Sequence, residues 1–282
     1  MPKAKTSWVI TGMVLVFFSL LVFREWHLMP DGKLHLEILS VGQGDSTLIT
    51  MPGGQKILVD GGPDWTALAE VGRKSPFFDR QIDLLVLSHP NVDHMVSFPE
   101  FLRRYSVGAI LLAGIESNEP KYQEILSLAG ELHIPLIFKR AGAEIPLPDN
   151  ASLTILWPPD RLPETFSHDV NEASLVALFQ WNGHRMLFTG DIDQKVETTL
   201  VAARADLKAD ILKIPHHGSR YSSSTGFLLA VKPLLAVIPV GRNAYGHPHK
   251  EILTRLNALG IPVHRTDLSG SLLVVWSQKR SP

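Results

Sequence analysis

"IDLLVLSHPNVDH" occupies residues 82–94. Its first half, 82–87, is almost wholly apolar, as a strand buried on both faces must be. Its second half sets two histidines, an aspartate and an asparagine into the six positions 89–94, where that strand has to end. Loops at strand exits are where a rigid scaffold places its reactive groups. The same arrangement recurs three times. Leu187-Phe188 runs into "TGDID", Leu212-Lys213-Ile214 into "PHHGS", and Ile238-Pro239-Val240 into "GRNAYGHPH". One such cluster alone reads as surface histidines and capping aspartates. Four clusters at four strand exits point to convergence of His89, Asp93, His94, Asp191, His216, His217 and His247 on a single spot.

Those residue types suit a metal ion. Neutral imidazoles and carboxylates are the usual zinc ligands, and manganese takes sites richer in oxygen. The 282-residue chain has no cysteine, which excludes disulfides and thiolate ligands. An aspartate such as Asp191 has two oxygens with which to bridge two ions. A bound ion brings the pKa of water toward about 7 and makes hydroxide available as a nucleophile.

The flanking sequence predicts a layered α/β body. "KLHLEILSV", "STLITM" and "QKILVD" read as strands, the last two joined by a turn at "PGG". "AILLA" and "PLIFK" are strands alternating with helices at "FPEFLRRY" and "EPKYQEILSLAGELHI". The second half has the same style. "SLTILW", "SLVALFQW" and "HRMLFTG" are strands, with an Asn-Gly hairpin turn in "WNGH". Helices at "KVETTLVAA", "STGFLLAVK" and "HKEILTRLNALG" then alternate with strands at "ADILKIP", "LLAVIPV", "PVHRT" and "SLLVVW". With no linker or repeat after residue 33, residues 33–278 are expected to form one domain.

The N-terminal segment, 1–28, is different. "MPKAKTSWVITGMVLVFFSLLVFREW" carries Lys3 and Lys5, an uncharged run from Ser7 to Phe23, and then Arg24. The run is about as short as a bilayer-spanning helix can be, and Trp8 and Trp26 flank it as interface anchors do. A single-pass anchor is expected. By the charge asymmetry its N-terminus is cytoplasmic and the body lies outside. A cleaved signal segment with a secreted body is the alternative. It lacks support from a small-residue cleavage pattern in the bulky "FREWHLMPDG". A net charge of −1 gives no overall basic excess to attract nucleic acid, although a local basic rim would not show in that total.

"SHPNVDH" resembles the H-x-[HD]-x-D-H signature of the metallo-β-lactamase superfamily. Together with it, "LSVGQGDSTLI", "ILVDGG", "NEASLV", "LFTGDID", "PHHGSRYSSS" and "YGHPH" resemble, in order, the hydrolase domain of ComEC-type competence proteins, from about residue 34 to about residue 275. The resemblance implies a four-layer αββα sandwich with its metal site at one sheet edge, preceded here by the hydrophobic helix. It places His89, Asn91, Asp93, His94 and Asp191 at ligand positions, with Asp191 bridging. One of His216 and His217 supplies a further ligand. It makes Asp93 and His247 catalytic candidates, His247 as a ligand or as a donor to the scissile group. Asp60 becomes the buried brace of the metal loops, and Asp45 lies near the site, with a simple turn carboxylate as its alternative. Ser219, Arg220, Asn171 and His168 are candidate substrate contacts. Lys213, Arg242, Lys250, Arg255 and Ser222–Ser224 are further candidates for holding phosphate, against the alternatives of scattered surface charge and a serine-rich helix start.

The departures bear on the metal. Position 91 is Asn where the subfamily usually has Asp and the wider superfamily His; an amide oxygen is the weaker ligand. A histidine expected some 20 residues before Asp191 is replaced by Asn171, with His168 as a substitute, and position 40 is Ser in place of Asp. Zn2+ or Mn2+ is therefore expected in one firm site, with a second site weak. The expected activity is that of a metal-dependent phosphodiesterase or nuclease acting on DNA. The alternatives are a small-molecule esterase or lactonase, and a degenerate, non-catalytic nucleic-acid-binding module. One candidate spanning helix leaves no room for a channel, so a separately encoded channel is an expected partner.

Overall fold

The computed structural model describes residues 2–161 and 169–277, with side chains from residue 9 onward. His168 lies outside the described residues. The described chain builds two seven-stranded sheets packed face to face. The first half supplies β1 (Leu34–Ile38), β2 (Thr47–Thr50), β3 (Lys56–Val59), β4 (Gln81–Leu87), β5 (Ser106–Leu112) and β6 (Leu136–Phe138). The second supplies β7 (Glu144–Pro146), β8 (Ser152–Trp157), β9 (Val176–Trp181), β10 (His184–Phe188), β11 (Ile211–Lys213), β12 (Leu235–Ile238) and β13 (Val263–Arg265). β14 (Leu272–Trp276) returns to the first sheet and pairs antiparallel with β1, Leu34 opposite Trp276.

Three apolar clusters define the layers. Between the sheets lie Leu36, Ile49, Val86, Leu153, Phe179 and Phe188. Outside the first sheet, α2 (Thr66–Lys74), α4 (Phe98–Arg104) and α5 (Pro120–Glu131) bury Val71, Phe101 and Ile125 against Leu58 and Leu85; the one-turn α3 (Val92–Met95) adds Met95. Outside the second, α6 (Gln194–Ala202), α7 (Thr225–Val231) and α8 (Lys250–Ala258) bury Val196, Phe227 and Ile252. A last turn, α9 (Thr266–Ser269), precedes β14. The order helix, sheet, sheet, helix is the sandwich that the resemblance implied.

Each sheet begins as antiparallel hairpins and continues as parallel strands: β3–β6 in the first, β10–β13 in the second. The Asn-Gly turn between β9 and β10 has positive φ at both Asn182 and Gly183, as a two-residue hairpin requires. Parallel strands deliver all their carboxyl ends to one edge, and that delivery positions the site. The helix α2, the three-residue edge strand β7 and the short α3 and α9 were not read in the sequence. The last three are too short to show a period.

α1 (Pro2–His27) precedes the sandwich and bonds it through Arg24 and Glu25 of its last turn. Its 19 residues Val9–His27 are long and apolar enough to cross a membrane, and none of that window is buried.

Candidate metal centre

Asp60 leaves β3 and Ser88 leaves β4 at the same edge. The Asp60 carboxylate accepts the Ser88 amide at 2.8 Å and the Ser88 hydroxyl at 2.8 Å, and it also receives His94 Nδ1 at 2.9 Å. A buried carboxylate thus fixes the backbone of the "SHPNVDH" loop and the tautomer of one of its histidines. Burial dominates Asp60 and pushes its pKa up, although His94 opposes it. His89 Nδ1 lies 3.0 Å from the Ser88 hydroxyl, whose own proton goes to Asp60. His217 Nδ1 donates to the Pro239 carbonyl at 2.8 Å. Each of the three imidazoles therefore has its Nδ1 engaged, which directs Nε2 at the site.

Those Nε2 atoms meet the carboxylates. His217 Nε2 lies 3.2 Å from Asp93 Oδ2 and 3.4 Å from Asp191 Oδ2, and His94 Nε2 lies 3.4 Å from the same Asp191 oxygen. Asp93, His94, Asp191 and His217 each bring one ligand-grade atom within 4.8 Å of the others. The Nε2 atoms of His89 and His94 are buried without a hydrogen-bond partner. Orphaned imidazole nitrogens beside carboxylates are costly alone and natural around a cation, so the donor set fits a divalent metal.

Electrostatics point the same way. Burial, the largest influence, pushes the pKa values of His94 and His217 down, yet Asp191 with Asp60 and Asp93 around His94, and with Asp45 around His217, lifts both well above the ordinary value. Burial also disfavours an ionised Asp191, but His217, Lys213 and His94 hold it well below the usual carboxylate range. For Asp93 burial again opposes ionisation, and His94 and His217 overcome it to lower the pKa. The carboxylates demand positive charge here, carried by protons or by a cation.

Lys213 was read as a phosphate contact, and the structure corrects that. Its ammonium is buried beneath the site, bonded to Asp45 Oδ2, to Asp191 Oδ1 at 3.1 Å and to the Gly190 carbonyl at 2.6 Å. Burial opposes its charge, but Asp45 and Asp191 raise its pKa above the ordinary lysine value. Asp191 therefore turns one oxygen to Lys213 and the other to the histidines. Asp45 is likewise buried, with its other oxygen 3.4 Å from His217. The signal in the sequence was a lone charge at an inward position of "ILKIP". Gly44 brings this loop in: a Cβ there would lie 2.3 Å from the Asp93 carbonyl oxygen, and its φ is +156°.

The remaining candidates separate. Asn91 caps α3, its side-chain oxygen accepting the Val92 amide at 2.9 Å, and it borders the cavity above the site. His216 stands outside the four-residue cluster, its ring 6.3 Å from that of His217 and 5.5 Å from that of His247. His247 is held by Asn243, which accepts the His247 amide and donates to its carbonyl, and its buried Nδ1 has no partner. Burial, then His216 and His217, pull its pKa down to about 4. Burial together with His94 takes His89 to about 3.

Arg220 lies at the rim with its guanidinium 3.5 Å from the His249 ring. Ser219 is buried, and its hydroxyl faces the Tyr221 amide at 3.4 Å. Ser222 donates to the carbonyls of Pro215 and Ser219, and Ser224 caps α7 through the Phe227 amide, so these serines serve the loop and the helix start. Arg255 is spent on the carbonyls of Ser222 and Ser223. Asn171 sits three residues before Ser174, whose hydroxyl accepts the Asp191 amide. Ser88, Ser174 and Lys213 are supports that the sequence reading did not assign. The cavity over the cluster measures about 570 Å³, bordered by Asn91, Asp93, His217, Arg242, Tyr245 and His247.

Comparison with known proteins agrees with this geometry. Residues 39–242 match the Metallo-beta-lactamase superfamily. The chain is 27% identical over 288 residues to ComE operon protein 3 of Bacillus subtilis (strain 168), covering 96% of this chain and 36% of that protein. It is 32% identical over 249 residues to Competence protein ComA of Neisseria gonorrhoeae, covering 86% of this chain and 32% of the relative. The chain thus spans about a third of the length of these relatives. Among solved structures, Igni18, a metallo hydrolase from the hyperthermophilic archaeon Ignicoccus hospitalis KIN4/I, superposes with a TM-score of 0.54 at 16% identity, over 87% of this chain and 100% of that one. That likeness is one of fold. With its family match, its two-sheet sandwich and its relatives among the ComEC-type competence proteins, this chain belongs to the metallo-beta-lactamase superfamily.

Proposed function

We propose that this chain is a metal-dependent phosphodiesterase acting on DNA, anchored in a membrane by α1 with its sandwich on the non-cytoplasmic side. The observation that carries the reading is the buried cluster of Asp93, His94, Asp191 and His217, with imidazole Nε2 atoms turned toward ionised carboxylates. Those four residues would hold one divalent ion, Zn2+ or Mn2+. His89 and Asn91, with only one good donor between them, would hold a second weakly. A divalent ion in such a place supplies Lewis-acid polarisation and activates water near neutral pH.

The chain's own residues do the rest. His247, neutral at pH 7 and fixed by Asn243, presents an imidazole to the scissile group as donor or acceptor. Asp93, kept ionised beside His217, would orient the attacking water. Arg242 at the cavity mouth is placed to bind a substrate phosphate. DNA as the substrate rests on the kinship with competence proteins, and the membrane on α1 together with Lys3 and Lys5 ahead of its apolar run.

The test uses the full chain in detergent with Mn2+ or Zn2+. It is offered labelled single-stranded DNA, a chromogenic phosphodiester and a chromogenic ester. DNA cleavage that disappears in Asp93→Ala supports the proposal. Ester turnover without DNA cleavage would make the chain a small-molecule hydrolase. DNA retention without any turnover would make it a binding module.

A further inference from the structure

We infer that Phe77 and Phe78 form a second membrane contact, dipping into the bilayer interface beside the exit of α1 and fixing how the sandwich stands on the lipid. The inference rests on reading α1 as the anchor, and it assigns a role to a turn that the metal centre does not use. Phe77 and Phe78 lie between α2 and β4 and are 67% and 60% exposed, their rings edge to face at 5.4 Å. Two adjacent exposed phenylalanines at a turn are poorly placed in water.

Their position names what covers them. The Phe77 amide donates to Glu25 Oε2 at 2.8 Å, and the Arg24 guanidinium donates to the Arg73 carbonyl at 3.1 Å. The last turn of α1 is thereby tied to the end of α2 and to this turn itself. Trp26, 70% exposed, and Met29, 46% exposed, leave α1 at the same level. The 19 residues Val9–His27, at 1.5 Å each, span about 28 Å, close to the hydrocarbon thickness of a bilayer. The Phe77–Phe78 turn therefore sits where α1 emerges into the headgroup layer, the depth that amphipathic aromatic rings such as that of Trp26 favour. Three ion pairs lie around it, Lys74 with Glu37, Lys56 with Asp79 and Arg73 with Glu70, and Arg80 is turned to the Tyr105 hydroxyl and ring, which limits the charge that has to be stripped of water there. A lipid surface continuous with α1 is the occupant that this placement favours.

The inference also places the metal centre. Phe78 lies just before the start of β4, and the "SHPNVDH" loop follows its end. Seven residues at about 3.3 Å each put the site about 23 Å farther along that strand. That separation keeps the cavity apart from the turn that would meet the lipid.

The absence of cysteine makes the test direct. Single cysteines are introduced into the full chain as Phe77→Cys, Phe78→Cys, Val16→Cys within α1, and Leu268→Cys, a 73% exposed position in α9 at the edge that holds the site. Each is labelled with an environment-sensitive fluorophore and reconstituted in phosphatidylcholine vesicles with and without brominated acyl chains. The expected result is blue-shifted emission with at least twofold quenching by bromine at positions 16, 77 and 78, and neither effect at 268. Quenching at 16 with water-like emission at 77 and 78 would overturn the inference and leave the anchor standing. Water-like emission at all four positions would remove the anchor and the inference together.

Discussion

Lys213 Nζ lies 3.1 Å from Asp191 Oδ1, both side chains almost wholly buried, and the same ammonium bonds Asp45. Together with His217 and His94, this cation beneath the floor of the site holds two carboxylates ionised where burial alone would protonate them. Removing it leaves two buried carboxylates with only the imidazoles of His217 and His94 to compensate them. Lys213→Met is expected to destabilise the metal-free protein by about 3–5 kcal/mol, measured by denaturant unfolding in chelator. Adding Asp45→Asn to that variant should recover part of the loss. A Lys213→Met protein as stable as the parent would show that the three charges are not coupled.

The two adjacent histidines of "PHHGS" should part company on metal titration. His217 belongs to the four-residue cluster and His216 does not. By calorimetry His217→Ala should lose more affinity than the about 10–100-fold that loss of an outer partner costs, while His216→Ala stays within about tenfold of the parent. Equal losses would mean that both rings bind the ion.

On the proposed reading, Asn91 weakens the second ion's site. Its amide oxygen caps α3, a duty that an aspartate performs equally well, so Asn91→Asp adds charge without disturbing the turn. The parent is expected to bind one ion tightly and a second at least tenfold more weakly, and the Asn91→Asp variant to tighten the second. Two equally tight ions in the parent would contradict the reading of a depleted second site.

The pH profile of the metal-free protein has a definite sign. His94 and His217, raised in the native state, contribute stability that is complete below the unfolded value of about 6.5 and is lost as pH rises through their native values. His89 and His247, lowered to about 3 and about 4, contribute stability that is present above about 6.5 and is lost as pH falls toward those values. Urea midpoints in chelator should therefore peak near about pH 6.5 and decline on both sides. Saturating metal should flatten the alkaline decline, because the ion takes the place of the two protons. A midpoint that climbs steadily to about pH 9 would show that the carboxylates do not hold those protons.

Much of this protein was legible in one dimension. Parallel strands covered on both faces have to be apolar throughout, so "LLVL", "AILL" and "LAVI" announced themselves. Polar ligands have to wait for the strand ends, so "SHPNVDH", "TGDID", "PHHGS" and "YGHPH" marked the site edge. A 26-residue helix of which a 19-residue apolar stretch is left unburied was equally plain, because length and composition alone define it. Tertiary structure decided what depends on distance between segments far apart in the chain. It separated His217 from His216, whose left-handed backbones at φ +51° and +48° send neighbouring rings to different places. It buried Lys213 between Asp45 and Asp191, 168 and 22 positions away, where sequence offered a phosphate contact or a surface charge. Sequence records which groups can bind a cation or a proton. Only the fold sets the distances and the loss of water that determine which of them must.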